Sequence, residues 1–173
     1  QLIDKLELQN LTPEVDITGI KVTQPDINRP ALQLAGYFEH YDETRPQIIG
    51  FVEYSYMEHM TEEDKREVYP KVLSEKTPCI VFCRDLRPDE IFLETAVKNK
   101  VPVLLTQKST SAFMAEIIRW LNVKLAPCIS VHGVLVDVYG EGVLITGESG
   151  IGKSEAALEL IKRGHRLVSD DVV

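Results

Sequence analysis

The amino-acid sequence predicts an α/β protein in two parts: an amino-terminal α/β domain with a largely parallel sheet, and a second domain organised around a glycine-rich loop. In the middle of the chain, short strands that are apolar throughout alternate with helical segments, which is typical of a parallel sheet covered by helices. After Pro127 the pattern changes to two strands of alternating polarity joined by a glycine turn. We therefore place a boundary there and expect domains at 1–127 and 128–173.

The elements of the first domain follow from local patterns. Strands are expected in "QIIGFVEY" (47–54), "PCIVFC" (78–83) and "VPVLLT" (101–106). Helices are expected over 61–73, where Thr61 and Asp64 resemble a capping box and Pro70 is expected to kink or divide the helix, and over 88–100 and 111–126. Apolar residues at helical spacing predict the core face of the last helix: Phe113, Met114, Ile117, Ile118, Leu121 and Leu125.

Composition excludes several classes of protein. Lys plus Arg number 19 against 27 Asp plus Glu, and neither part of the chain is basic, which argues against nucleic-acid binding. No apolar run approaches the ~20 residues of a membrane helix, and no signal-peptide pattern follows Gln1, before which we expect a short native start to be missing. Cys79, Cys83 and Cys128 lack metal-ligand spacing and an even count, so we expect buried, reduced thiols in a cytoplasmic protein.

The segment "LITGESGIGKSEAALELIKRGHRLVSDD" (144–171) contains the pattern G-x-x-x-x-G-K-[ST] at Gly147, Gly152, Lys153 and Ser154. Glycines let the backbone turn so that successive N–H groups point at phosphate oxygens, while the lysine reaches the β- and γ-phosphates and the hydroxyl can ligate Mg²⁺. A strand precedes the loop, a helix follows it, and Gly164 is expected to end that helix. The loop is therefore predicted to bind a nucleotide or another phosphate.

Two adjacent acids follow the helix. A right-handed crossover is expected to bring "RLVS" (166–169) back beside the strand "GVLIT" (142–146), so that Asp170 and Asp171 leave the sheet at the edge that carries the loop. One carboxylate there can hold a metal ion or its water shell, and the other can take a proton from an incoming hydroxyl. Considered alone, such a pair is also compatible with a turn or a helix cap.

A histidine is predicted at the same edge. The segment "SVHGVLVDVYGEGVLITG" (130–147) is typical of an antiparallel hairpin. With Gly140 and Glu141 as its two-residue turn, His132 falls opposite Ser149, although a register shift of two residues remains open. His132 then lies at the phosphate end of the hairpin, where it can contact a phosphoryl group, and a purely structural role is the alternative.

The block from 130 to 171 closely resembles the start of the catalytic domain of the bacterial HPr kinase/phosphorylase family, and "PDINRPALQLAGYF" (25–38) resembles that family's amino-terminal domain. The resemblance implies a bifunctional enzyme. Such an enzyme phosphorylates a regulatory serine of the phosphocarrier protein HPr with ATP or pyrophosphate, and removes that phosphate with inorganic phosphate, releasing pyrophosphate. It also implies homohexamers built on a catalytic domain related to phosphoenolpyruvate carboxykinase, and suggests activation by fructose 1,6-bisphosphate.

The resemblance also implies roles for individual residues. Lys153 corresponds to the catalytic lysine and Ser154 to the ligand of Mg²⁺ (or Mn²⁺). Asp171 corresponds to the proton acceptor of the kinase reaction, His132 to a further active-site position, and Asp170 to a neighbour that helps to organise the metal. The whole nucleotide-binding loop corresponds to Gly147, Glu148, Ser149, Gly150, Ile151, Gly152, Lys153 and Ser154.

The chain stops at Val173, before the family's further metal ligand and active-site arginine, so we expect a fragment or a break at a mobile loop. Two other functions use the same loop: a small-molecule kinase and a non-catalytic nucleotide-sensing regulator. A sensor does not need His132 and Asp171 near the γ-phosphate, and a small-molecule kinase does not explain the family-like amino-terminal block.

Overall fold

The computed structural model describes residues 1–170 and 173. The chain forms two compact units, Gln1–Ala126 and Pro127–Val173. The predicted α/β class with a mostly parallel sheet is confirmed. No helix in the described residues combines the length and the apolar character needed to cross a bilayer.

The first unit is built on a four-stranded sheet of order β1-β4-β3-β2. Its strands are β1 (Gln9–Asn10), β2 (Gln47–Ile49), β3 (Ile80–Phe82) and β4 (Val103–Leu105). The strands β2, β3 and β4 are parallel, and β1 adds an antiparallel edge to β4 that the sequence did not indicate. The carboxyl ends of the three parallel strands therefore lie at one edge of the sheet.

Helices cover both faces of this sheet. They are α1 (Leu2–Lys5), α2 (Ala31–Leu34), α3 (Phe51–His59), α4 (Glu62–Val72), α5 (Glu90–Lys98) and α6 (Thr110–Lys124). Successive strand residues point to opposite faces, and this divides the core into two apolar clusters. One cluster joins Ile49 and Phe82 to α4 and α5, and the other joins Ile48 and Val81 to α6.

One predicted strand is partly wrong. Residues 47–49 form β2, but the chain turns at Gly50 and residues 51–59 form α3. The Gly50 N–H donates to Glu53 Oε2 at 2.9 Å, and Arg29 Nη2 donates to the same oxygen at 2.8 Å. This buried carboxylate satisfies the start of the helix, and it outweighs the strand preference of the apolar residues around it.

Three smaller expectations also need correction. Pro70 lies inside α4 and does not divide it, while Thr61 caps that helix as predicted by accepting from the Asp64 N–H. The core face of α6 is narrower than expected, since Ile118 and Leu125 are each 37% exposed. Cys79 and Cys83 are buried as predicted, but Cys128 is exposed.

The second unit contains β5 (Gly133–Val138), β6 (Glu141–Thr146), α7 (Lys153–Lys162) and β7 (Arg166–Ser169). The hairpin β5–β6 turns at Tyr139 and Gly140, with φ of 55° and 88°, rather than at the expected Gly140 and Glu141. Two consecutive positive φ values are the requirement of a type I′ turn, whose twist matches that of the two strands. The hairpin register is therefore shifted by two residues from the prediction.

The last strand lies in a different place from the one expected. β7 pairs antiparallel with β5, and the sheet order is β6-β5-β7, so β7 is not adjacent to β6. The crossover from β6 to β7 therefore passes over β5. The direction of β7 is as expected, and its carboxyl end still lies at the edge where β6 ends.

Gly50 allows close packing that a larger residue would prevent. A Cβ at this position would stand 2.8 Å from Thr110 Oγ1 and 3.1 Å from Arg29 Nη2. We expect Gly50→Ala to lower the free energy of unfolding of the first unit by about 1–3 kcal/mol, the usual cost of overpacking. Urea unfolding followed by the fluorescence of Trp120, which lies in α6, measures this unit. Gly19→Ala, with no atom near its Cβ position, is the control, and equal stability of both variants contradicts the prediction.

The two units are proposed to be separable near residue 127. Both clusters of the four-stranded sheet take all their members from the first unit. Residues 1–126 expressed alone should therefore fold cooperatively, with a single thermal transition in circular dichroism and in Trp120 fluorescence. A fragment without such a transition would show that the boundary is wrong.

Candidate phosphate-binding site

The loop that joins β6 to α7 has the backbone geometry of a phosphate cradle. Gly150 and Gly152 have φ of 82° and 97°, values that residues with a side chain rarely adopt. At Gly147 a Cβ would stand 3.0 Å from Ile151 Cγ2, so a side chain at this position would crowd that of Ile151. The glycines therefore allow the chain to curl back before the helix begins.

The helix α7 is fixed at both ends by glycine. Gly152 is its N-cap in the left-handed conformation, and the helix makes no side-chain cap. At the other end, Gly164 N–H donates to Ile161 O and His165 N–H donates to Leu160 O, which is the Schellman arrangement, as predicted. The amino terminus of α7 thus faces the loop, and a helix amino terminus with its unpaired N–H groups favours an anion.

Lys153 is held inside the loop. Its Nζ donates to Gly147 O at 2.9 Å and to Glu148 O at 2.8 Å. An ammonium group has three donors, so one remains for a phosphate oxygen. The lysine is therefore oriented by the same backbone that forms the cradle.

His132 lies at the loop end of the hairpin, as predicted, and is exposed. The observed pairing of Gly133 with Thr146 places His132 level with Gly147 when the register is extended by one residue. The expected position opposite Ser149 was wrong because the turn begins one residue earlier. The neighbouring Val131 exchanges both backbone hydrogen bonds with Val173, a pairing that the sequence did not indicate.

The sequence has two acids, Asp170 and Asp171, after β7. Asp170 is exposed and comes directly after the strand, while Asp171 lies outside the described residues. Within the described residues no group of three His, Cys, Asp or Glu side chains could hold a metal ion. The donors present, the Ser154 hydroxyl and the Asp170 carboxylate, still fit Mg²⁺, which usually takes one or two protein ligands and completes its shell with phosphate oxygens and water.

Together, the strand, glycine loop and helix give the second unit the strand–loop–helix arrangement of a P-loop. Residues 1–121 match the family model described as "HPr Serine kinase N terminus", and residues 123–173 match "HPr Serine kinase C-terminal domain". The chain belongs to the HPr serine kinase family, as the sequence resemblance predicted.

Similar curated proteins carry the name HPr kinase/phosphorylase. That of Lachnoclostridium phytofermentans is 61% identical over 173 residues, which are 100% of this chain and 56% of the relative. The protein of Caldicellulosiruptor bescii is 47% identical over 100% of this chain and 56% of its own length. The protein of Streptococcus thermophilus is 46% identical over 99% of this chain and 56% of its own length. The chain therefore spans about half the length of these relatives.

Among solved structures, the CBS and DRTGG domains of the regulatory region of Clostridium perfringens pyrophosphatase, complexed with the activator diadenosine tetraphosphate, resemble 69% of this chain. The match covers 45% of that chain at 18% identity, with a TM-score of 0.48.

Proposed function

We propose that this chain supplies the phosphate-binding part of a bifunctional protein-serine kinase/phosphorylase. The enzyme transfers a phosphoryl group from ATP or pyrophosphate to a regulatory serine of HPr, and it removes that group with inorganic phosphate, releasing pyrophosphate. The observation that carries the proposal is the loop Gly147–Ser154 in its strand–loop–helix setting, within a chain of the HPr serine kinase family. The proposal includes a cytoplasmic homohexamer, which rests on the family resemblance alone.

The loop residues bind and orient the phosphoryl donor. Backbone N–H groups of Gly147–Ser154 hold the β- and γ-phosphates, and the remaining N–H of Lys153 Nζ reaches their oxygens. Ser154 and Asp170 would hold Mg²⁺ (or Mn²⁺), which would supply positive charge against the phosphate oxygens. Since phosphoryl transfer has a loose transition state, this positioning and charge stabilisation provide most of the catalysis.

Asp171 and His132 are proposed to act near the serine hydroxyl that receives the phosphoryl group. The serine hydroxyl gives its proton to the Asp171 carboxylate as the new P–O bond forms and the bond to the leaving phosphate breaks. In phosphorolysis, an oxygen of inorganic phosphate attacks the phosphorus of phosphoserine and the bond from that phosphorus to the serine oxygen breaks. Pyrophosphate leaves, and Asp171 returns the proton to the serine oxygen. His132, at the same end of the hairpin as the loop, is proposed to contact the phosphoryl group.

The test uses the full-length protein, ATP labelled at the γ-phosphate, Mg²⁺ and purified HPr. We expect label on a serine of HPr, and release of pyrophosphate when phosphorylated HPr is mixed with inorganic phosphate. Lys153→Ala should lower both rates about a thousandfold, because it removes an aimed charge from the transferring group. Nucleotide binding without labelled HPr would favour the regulator, and labelling of a small molecule instead would favour the small-molecule kinase.

The two acids should respond differently to substitution. Asp171→Asn keeps the shape of the side chain and removes its basicity, so both reactions should fall by about two to four orders of magnitude while nucleotide binding remains. Asp170→Asn should mainly raise the Mg²⁺ concentration needed for activity. Initial rates across a Mg²⁺ series separate the two effects. If excess Mg²⁺ restores Asp171→Asn and leaves Asp170→Asn inactive, the roles are reversed.

A further inference from the structure

We propose that the loop Gly147–Ser154 selects phosphate groups that carry a divalent cation over the same groups without one, and that Glu155 determines this selectivity. Glu155 repels the bare anion by its charge and is not itself assigned as a metal ligand. The inference rests on the proposed function, which it deepens by naming the form of the phosphoryl donor that the loop accepts.

Glu155 lies beside the loop, in the first turn of α7. Its Oε2 stands 3.7 Å from the Cβ position of Gly152, the residue at which the helix begins. The side chain is exposed, and it makes no ion pair with any residue in the described part of the chain. A negative charge that no described residue neutralises therefore stands at the edge of the phosphate cradle.

The end of the second unit that carries the loop has more negative than positive charge. Lys153 is the only Lys or Arg in the loop, and loop carbonyls already accept from its Nζ twice. Three carboxylates lie at the same end, those of Glu148, Glu155 and Asp170. The start of α7 adds only about half a positive charge. A phosphate that arrives here without a cation therefore meets surroundings of its own sign.

The other Lys and Arg residues of the second unit lie at its opposite end. Lys162 and Arg163 end α7, and Arg166 begins β7 opposite Asp137, near the hairpin turn. The ten residues of α7 place the first two about 15 Å from the loop. Physiological salt screens charges that are more than about 8 Å apart, and Arg163 already pairs with Glu159 at 3.2 Å. These cations therefore do not offset the acids at the loop.

A divalent cation on the phosphate reverses the sign of these interactions. The carboxylates that repel the bare anion attract the positive charge of the complex. An exposed carboxylate at this distance should change an affinity by about three- to tenfold, because water weakens its field. A structural role predicts the opposite sign: an acid in the first turn stabilises a helix, so its loss would weaken the binding of both forms together.

The test measures the binding of pyrophosphate to the full-length protein by isothermal titration calorimetry, without HPr, in excess Mg²⁺ and in a chelator. We expect the wild-type protein to bind the Mg²⁺ complex more tightly than bare pyrophosphate. Glu155→Gln should bind bare pyrophosphate about three- to tenfold more tightly than the wild type and should not tighten the Mg²⁺ complex. High salt should reduce this difference between variant and wild type, because it screens the carboxylate.

Three variants serve as controls. Glu159→Gln removes the same charge one turn further along α7, where Glu159 pairs with Arg163, and should leave both affinities unchanged. Glu155→Asp keeps the charge and should retain the wild-type ratio of the two affinities. Lys153→Ala should weaken both forms. Wild-type protein that binds neither form would contradict the proposed function itself. Binding in which Glu155→Gln gains no affinity for bare pyrophosphate, or behaves as Glu159→Gln does, would overturn this inference alone.

Discussion

Both units depend on how their helices begin, because the first N–H groups of a helix have no partner within it. The longer helices of the first unit meet this need with side chains: Thr61, Asp89 and Ser109 cap α4, α5 and α6, and Glu53 reaches back to Gly50. In the second unit α7 begins at a left-handed glycine without a side-chain cap. The same physical requirement is thus met by side chains in the first unit, whereas the first N–H groups of α7 have no side-chain cap.

Local chemistry explains which elements could be predicted from the sequence. The caps at Thr61 and Gly164 and the loop glycines act within a few residues, so their patterns correctly predicted α4, α7 and the position of the loop between β6 and α7. The stretch after Gly50 was misjudged because the helix start depends on the buried Glu53 carboxylate, which Arg29, distant in sequence, also pairs with. The order β6-β5-β7 likewise depends on β7 pairing with the edge of β5 that β6 leaves open. No local sequence pattern predicts this pairing.

The same distinction between local and long-range interactions applies to the candidate site. Lys153 and Ser154 are predictable because the motif fixes their spacing from the glycines, and the structure places Lys153 against the loop carbonyls. The position of His132 depended on a turn that tolerates Tyr139 at positive φ, where glycine or asparagine is usual, so the register could not be chosen in advance.

The hydrogen bonds of Lys153 have a thermodynamic consequence. A lysine side chain loses up to about 2 kcal/mol of rotamer entropy when it is ordered. Because the carbonyls of Gly147 and Glu148 already hold the Nζ, much of that loss occurs when the second unit folds. If the loop binds phosphate as proposed, its affinity is therefore coupled to the conformational stability of the loop, and a substitution that loosens the backbone there weakens binding without touching a phosphate contact.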